Sequence, residues 1–287
     1  MFTNSSAYKF GVLPEADLPA LKQKILDAAA ALSPELYGTI VITTEGMNIR
    51  LSGPADAVAT MQSFLANDVH AHLCPITYKD SYTDAPTLRK FLVRIKKEVI
   101  SMGMDNVNPA ADGLATHIAP EEFKTWLDED KDMVVLDTRN DYEVRLGTFE
   151  KAVDLNIKSF RVFPAEAKEQ LKDVPKDKPI VMFCTGGVRC EKAAYALQHE
   201  GYSRVYQLDG GILNYFEKCG GAHYRGDCYI YDDRVALTPA LKKAEHIGMC
   251  FACRSPLTAA EQTSAAFVPH ESCPYCVDGK KSDFRSV

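Results

Sequence analysis

No stretch of this 287-residue chain is apolar for long enough to cross a bilayer. Its longest runs, such as Ile180 to Cys184, span a few residues, whereas a membrane helix needs about 20. The N-terminus, Met1-Phe2-Thr3-Asn4-Ser5-Ser6, lacks the charged region and apolar core of a secretory leader. A cytoplasmic protein with no membrane partner is therefore the expectation. Basic charge is not in excess either: 33 Lys+Arg against 39 Asp+Glu give a net charge of −6. Residues 1–110 carry 10 basic against 11 acidic side chains, 111–222 carry 15 against 20, and 223–287 carry 8 against 8. The acidity sits in the middle, so a polyanion would have to meet local basic clusters on the flanking segments. A dinucleotide-binding glycine fingerprint and a His/carboxylate facial triad are both missing, so no nucleotide cofactor is expected.

What is present begins with composition. At 46% hydrophobic and 25% charged residues, the chain reads as globular, and its length suits two or three domains. It has nine cysteines, an odd number, which argues against complete pairing. In a long chain without a leader, cysteines point to catalysis and metal binding rather than to a disulfide framework.

The most informative stretch is Lys178 to Ala193 (KPIVMFCTGGVRCEKA). An apolar run ends in Cys184, passes through Gly186-Gly187 and restarts as an alanine-rich helical pattern. This predicts a buried strand that delivers a thiol to a loop opening a helix. Glycines allow a tight turn with positive φ, so that N–H groups point at the sulfur. The positive end of the helix dipole adds to this. Both favour a thiolate, which makes Cys184 a candidate nucleophile. The alternative for such a cysteine is a buried packing residue.

Around it, the first hundred residues alternate. Strands are expected at 8–13, 38–43, 49–51, 73–78 and 91–95, a turn at 45–48, and helices at 17–32 and 54–65. The β-α-β-β-α-β order fits a ferredoxin-like sandwich with helices on one face. The stretch 88–97 places Arg89, Lys90, Arg94, Lys96 and Lys97 among apolar residues. It is either a phosphate-contacting ridge or a strand whose solvent face is basic. Met104 to Gly113 reads as a linker. Beyond it, strands at 132–137, 151–156, 180–184 and 203–208 alternate with helices at 119–127, 163–171, 190–200 and from 209. That pattern predicts a parallel α/β sheet whose site lies beyond the C-terminal strand ends, where Cys184 falls. Three segments are thus expected: 1–110, 111–222 and a Cys-rich 223–287.

In the last, Cys250/Cys253 and Cys273/Cys276 form two Cys-x-x-Cys pairs separated by 19 residues. This spacing matches a four-cysteine zinc site; the alternative is reduced thiols or two disulfides in the tail. Arg254, Lys280, Lys281 and Arg285 lie nearby in sequence.

Asp137-Thr138-Arg139-Asn140-Asp141-Tyr142-Glu143, the loop Cys184-Thr185-Gly186-Gly187-Val188-Arg189 and Leu208-Asp209-Gly210-Gly211-Ile212 resemble the three landmarks of a rhodanese domain, in which the loop cysteine carries a persulfide. In the phosphatases of this fold five residues separate cysteine and arginine, against four between Cys184 and Arg189, so the resemblance implies a sulfur-sized pocket. Arg189 is then a wall of that pocket, its fixed charge favouring thiolate or persulfide. Asp137 and Arg139 are either support for it or a structural salt bridge. Cys190 is either a resolving thiol or a small buried helix residue. Together with Glu45-Gly46-Met47-Asn48 and the paired C-terminal cysteines, nearly the whole chain resembles the bacterial tRNA uridine hydroxylase family, TrhO. It departs from the usual family pattern in having Ile49-Arg50 after Asn48. The resemblance implies hydroxylation of C5 of wobble uridine 34, with O2 as co-substrate, tRNA as partner and an essential Cys184. The same residues also fit two other readings: a sulfurtransferase passing persulfide sulfur from Cys184 to a small-molecule or protein acceptor, and a non-catalytic binding module.

Overall fold

The structure is a computed structural model that describes residues 1–69, 73, 75–104, 107, 109–112 and 115–279. The chain divides into two compact units, Met1–Leu114 and Ala115–Val287.

In the first unit the strands are β1 (Phe2–Phe10), β2 (Tyr37–Thr43), β3 (Gly46–Pro54), β4 (Lys79–Thr83) and β5 (Phe91–Ile95). They form one sheet in the order β4-β1-β3-β2-β5. The first four are antiparallel neighbours, while β5 lies parallel to β2. This is the expected ferredoxin-like sandwich with an added edge strand. Helices α1 (Leu18–Leu32) and α2 (Ala55–Asn67) bury Leu21, Ile25, Val58 and Met61 against Ile40, Ile42, Met47, Ile49 and Leu51. These strand residues sit at every second position, so one sheet face is apolar.

The strand expected at 73–78 is corrected to β4. Pro75 has no N–H to pair, and Leu73 and Ile76 are buried in the helix-covered core. The pairing falls instead to Lys79–Thr83, an edge segment whose alternation of half-buried and exposed residues shows no apolar signal. The turn expected over 45–48 is also shorter, since β3 begins at Gly46. At Gly46 (φ 135°) a Cβ would lie 2.1 Å from the Lys9 carbonyl oxygen, so only glycine fits. Buried Glu45 accepts a hydrogen bond from the Val99 N–H at 2.6 Å. The expected linker 104–113 contains a single helical turn, α3 (Pro109–Asp112); its residues 105, 106, 108 and 113 lie outside the described ones.

The second unit contains β6 (Thr116–Ile118), α4 (Pro120–Asp128), β7 (Val134–Asp137), α5 (Asp141–Val144), β8 (Gly147–Phe149), β9 (Val153–Asp154), α6 (Phe163–Gln170), β10 (Ile180–Phe183), α7 (Val188–His199), β11 (Val205–Leu208) and α8 (Gly211–Cys219). A parallel sheet runs β6-β11-β10-β7-β9. Every residue of β10 is buried, as a central strand covered on both faces requires. Val181 and Phe183 pack with Phe123 of α4 and Ile212, Tyr215 and Phe216 of α8.

The chain continues through β12 (Tyr224–Gly226), β13 (Cys228–Tyr229), β14 (Ala236–Leu237), β15 (Gly248–Met249), β16 (Pro256–Leu257) and α9 (Ala259–Gln262). β12 pairs with β8, and Tyr224 and Cys228 enter the same core as Phe149 and Phe183. The segment after residue 222 is therefore woven into the α/β domain. None of the helices is long and apolar enough to cross a membrane among the described residues.

Candidate active site

Cys184 stands at the C-terminal end of β10 and is 1% exposed. The following helix starts at Val188, two residues earlier than its apolar pattern indicates, because Gly187 adopts φ 100° as its N-cap. The Gly187 N–H then donates to Cys184 Sγ at 3.1 Å. Positive φ is needed at Gly187 alone. Gly186 has open space where a Cβ would stand, and with Thr185 and Val188 it forms the partly exposed side of the loop.

Burial by itself would raise the Cys184 pKa. A hydrogen bond from Cys190, the charge of Arg189 and the N–H groups of Arg189 and Gly187 outweigh it and bring the pKa down to about 5. Cys190 is pushed the opposite way, first by burial and then by the Cys184 it serves. It is a buried helix residue whose thiol lies 3.6 Å from Thr138 Oγ1, and no disulfide is formed.

Arg189 is 4% exposed and forms a two-pronged ion pair with Glu143 of α5, its Nη2 lying 2.8 Å from Oε1. Glu143 also accepts from the Asn140 N–H and the Tyr231 hydroxyl, each at 3.1 Å. Burial would raise the Glu143 pKa, but the Arg189 charge and hydrogen bonds overcome this and hold it below the ordinary range. Arg189 is therefore anchored by Glu143 at the end of the Cys184 loop. Its charge reaches Cys184 while its donors are taken by Glu143.

Asp137 and Arg139 form a separate buried pair, with Arg139 Nε 2.9 Å and Nη2 2.7 Å from the Asp137 oxygens. Arg139 also donates to the Gly147 carbonyl at 2.6 Å, and Thr148 Oγ1 donates to Asp137 at 2.7 Å. These contacts bind the end of β7 to β8.

Three features of the site are absent from the sequence reading. The N–H groups of Ile212 and Leu213, at the start of α8, donate to the carbonyls of Cys184 and Thr185 at 3.0 and 3.2 Å. Gly211 (φ 67°) permits that approach, since a Cβ there would lie 2.4 Å from the Cys184 carbonyl oxygen. From the C-terminal segment, the Tyr229 carbonyl accepts from Thr185 Oγ1 at 3.3 Å, and the Cys228 thiol, raised to about 12 mainly by burial, lies behind the loop. The third feature is buried Glu191, which accepts from the Ala115 N–H and meets His117 at 3.3 Å. The Leu208–Ile212 landmark carried some signal of the first; the other two are long-range contacts with none.

The four paired cysteines do converge. The Sγ atoms of Cys250, Cys253, Cys273 and Cys276 all lie within 4.8 Å of one another, with separations of 3.6, 3.7 and 4.0 Å for three of the pairs. A tetrahedron of Zn–S bonds of about 2.3 Å has edges of about 3.8 Å, so the donor set fits such an ion. This knot is tied to α5 by Arg145, which donates to the Pro256 carbonyl at 2.9 Å, pairs with Glu261 and lies 4.1 Å from the Tyr275 ring centre. Arg89, Lys90, Arg94 and Lys97 are exposed and Lys96 is half-buried. Only Arg94 belongs to β5; the others flank it. Lys280, Lys281 and Arg285 lie outside the described residues.

Both units of the chain match known protein families. Residues 2–99 match the UPF0176 acylphosphatase-like domain family and residues 119–218 the rhodanese-like domain family. A solution structure of a rhodanese-like domain from Anabaena is similar over 38% of this chain and 78% of its own, at 20% identity and a TM-score of 0.33. The tRNA uridine(34) hydroxylase of Cupriavidus taiwanensis is 44% identical over 284 residues, covering 96% of this chain and 97% of the relative. That of Ralstonia nicotianae is 42% identical over 280 residues, covering 96% of each. Matched over 96% of its length by such relatives, the chain belongs to the tRNA uridine(34) hydroxylase family.

Proposed function

We propose that this protein hydroxylates C5 of wobble uridine 34 in tRNA, with Cys184 as the essential thiolate and with O2 and a two-electron donor as co-substrates, one oxygen atom entering the base to give 5-hydroxyuridine and the other leaving as water. Full-length similarity to named tRNA uridine(34) hydroxylases carries the substrate and reaction. The stabilised thiolate at the head of α7 carries the choice of residue. An anticodon loop is single-stranded, so its uridine can be turned out of the stack and brought to the open side of the loop at Thr185, Gly186 and Val188. During turnover Cys184 holds a persulfide or an oxidised sulfur, stabilised by the Gly187 and Arg189 N–H groups and the Arg189 charge. Phosphate contacts are assigned to Arg89, Lys90, Arg94, Lys96 and Lys97, and a structural zinc to the four-cysteine knot.

The test is nucleoside analysis of tRNA from cells lacking the gene, complemented with wild-type or Cys184→Ala protein. Loss of 5-hydroxyuridine and its derivatives, restored by the wild type alone, is the expected result. Unchanged levels of those nucleosides in the deleted strain would refute the assignment and leave persulfide transfer as the function of the same cysteine.

A further inference from the structure

Apolar surface is unevenly spread over the molecule. Among the described residues ten large hydrophobic side chains stand strongly exposed, and four of them, Phe251, Val268, Tyr275 and Val277, lie within residues 251–277. The cysteine knot thus presents several apolar side chains to solvent. Tyr275 is engaged by the fold, its ring against Arg145 and its hydroxyl on Glu261. Phe251 is not, being 53% exposed on the Cys250–Cys253 knuckle. Its ring stacks on that of His270, with centres 5.0 Å apart and planes 19° from parallel, and the Arg254 guanidinium lies 6.0 Å from the Phe251 centre. Arg254 and His270 both adopt left-handed backbone conformations, with φ 70° and 68°. Glycine would take these freely, yet the positions hold one cationic and one aromatic side chain, both exposed.

From this geometry we infer that Phe251, His270 and Arg254 form a stacking platform for unpaired nucleobases, making the cysteine knot an RNA-binding element. Parallel aromatic rings offer a flat π-face to any base, and the adjacent guanidinium can stack as well or meet a phosphate. An anticodon loop, whose bases are accessible, is the RNA form that such a surface recognises; a closed duplex hides its base faces. The inference rests on the tRNA assignment and gives that substrate a point of attachment on the second unit.

Fluorescence anisotropy of the full-length protein with a labelled anticodon stem-loop RNA bearing U34 tests it. Phe251→Ala is expected to weaken binding about 5- to 100-fold, the usual effect of removing one stacking aromatic. Phe251→Trp should retain affinity, and Arg254→Ala should weaken it less while lowering its salt dependence. Circular dichroism and thiol titration of each variant establish that the knot is intact. Should Phe251→Ala misfold, Arg254→Ala with unchanged affinity and unchanged salt dependence overturns the platform. Undiminished binding by a folded Phe251→Ala protein, in a wild type that still hydroxylates tRNA, overturns the platform alone. A wild type that neither binds the stem-loop nor modifies tRNA overturns both readings.

Discussion

Cys184 carries a charge in a place almost closed to water, which is costly unless donors surround it. Here the neighbouring thiol, the Arg189 charge and two backbone N–H groups supply them. Because the folded pKa lies below that of a free thiol, the reactive thiolate is present at neutral pH and is lost only as pH falls through about 5. An ordinary cysteine would lose it below about 8.5. The rate of alkylation at Cys184 followed against pH should therefore hold up well below neutrality, and a midpoint near that of a free thiol would contradict the cradle. The Glu143–Arg189 pair yields a second prediction. Glu143→Gln leaves a buried guanidinium without its counter-charge, and breaking such a pair costs about 3–5 kcal/mol. Thermal or urea unfolding should show this loss, accompanied by impaired activity, since Arg189 loses its anchor.

At the scale of elements, the loop is held from three sides: α7 presents N–H groups to the sulfur, α8 caps its carbonyls, and β13 accepts from Thr185. Gly211→Ala forces a methyl group into the Cys184 carbonyl at a backbone angle that alanine avoids. It is expected to destabilise the protein by at least about 1–2 kcal/mol and to slow Cys184 alkylation, both measurable on one preparation. Arg145 plays a comparable part between α5 and the cysteine knot. Arg145→Ala should lower stability by about 1–3 kcal/mol, the usual cost of leaving one buried acceptor, here the Pro256 carbonyl, unsatisfied. Limited proteolysis should then cut first within residues 245–279.

Over the whole molecule, net charge opposes a polyanionic substrate, so attraction must come from local surfaces. Arg89, Lys90, Arg94 and Lys97 are exposed, and the proposed tRNA contact predicts that neutralising them weakens binding and lowers its salt dependence. Metal analysis of protein purified without chelator should find about one zinc per chain, as a four-cysteine set binds one ion. Stripping it is expected to loosen the knot while leaving the α/β sheet folded. Truncation after residue 222 has a different outcome. It removes Tyr224 and Cys228 from the core around Phe149 and Phe183 and leaves β8 unpaired. In such a chain the second unit should lose its cooperative unfolding transition while the first, Met1–Leu114, keeps its own core.

The strand-loop-helix about Cys184, the alternation of a parallel α/β domain and the two cysteine knuckles were legible in the sequence because each is local. Apolar period, glycine position and cysteine spacing act over a few residues, and backbone geometry translates them directly. The edge strand β4 was not legible, because its pairing with Phe2–Ser6 places no demand on side-chain polarity. Nor was the partner of Arg189, since Glu143 lies 46 positions away in sequence. The motif announced a thiol at a helix start. Only the packed fold decided that Glu143 and Tyr231 would brace its arginine, and that Gly211 would let α8 close on its carbonyls, because those contacts exist only where separate elements meet.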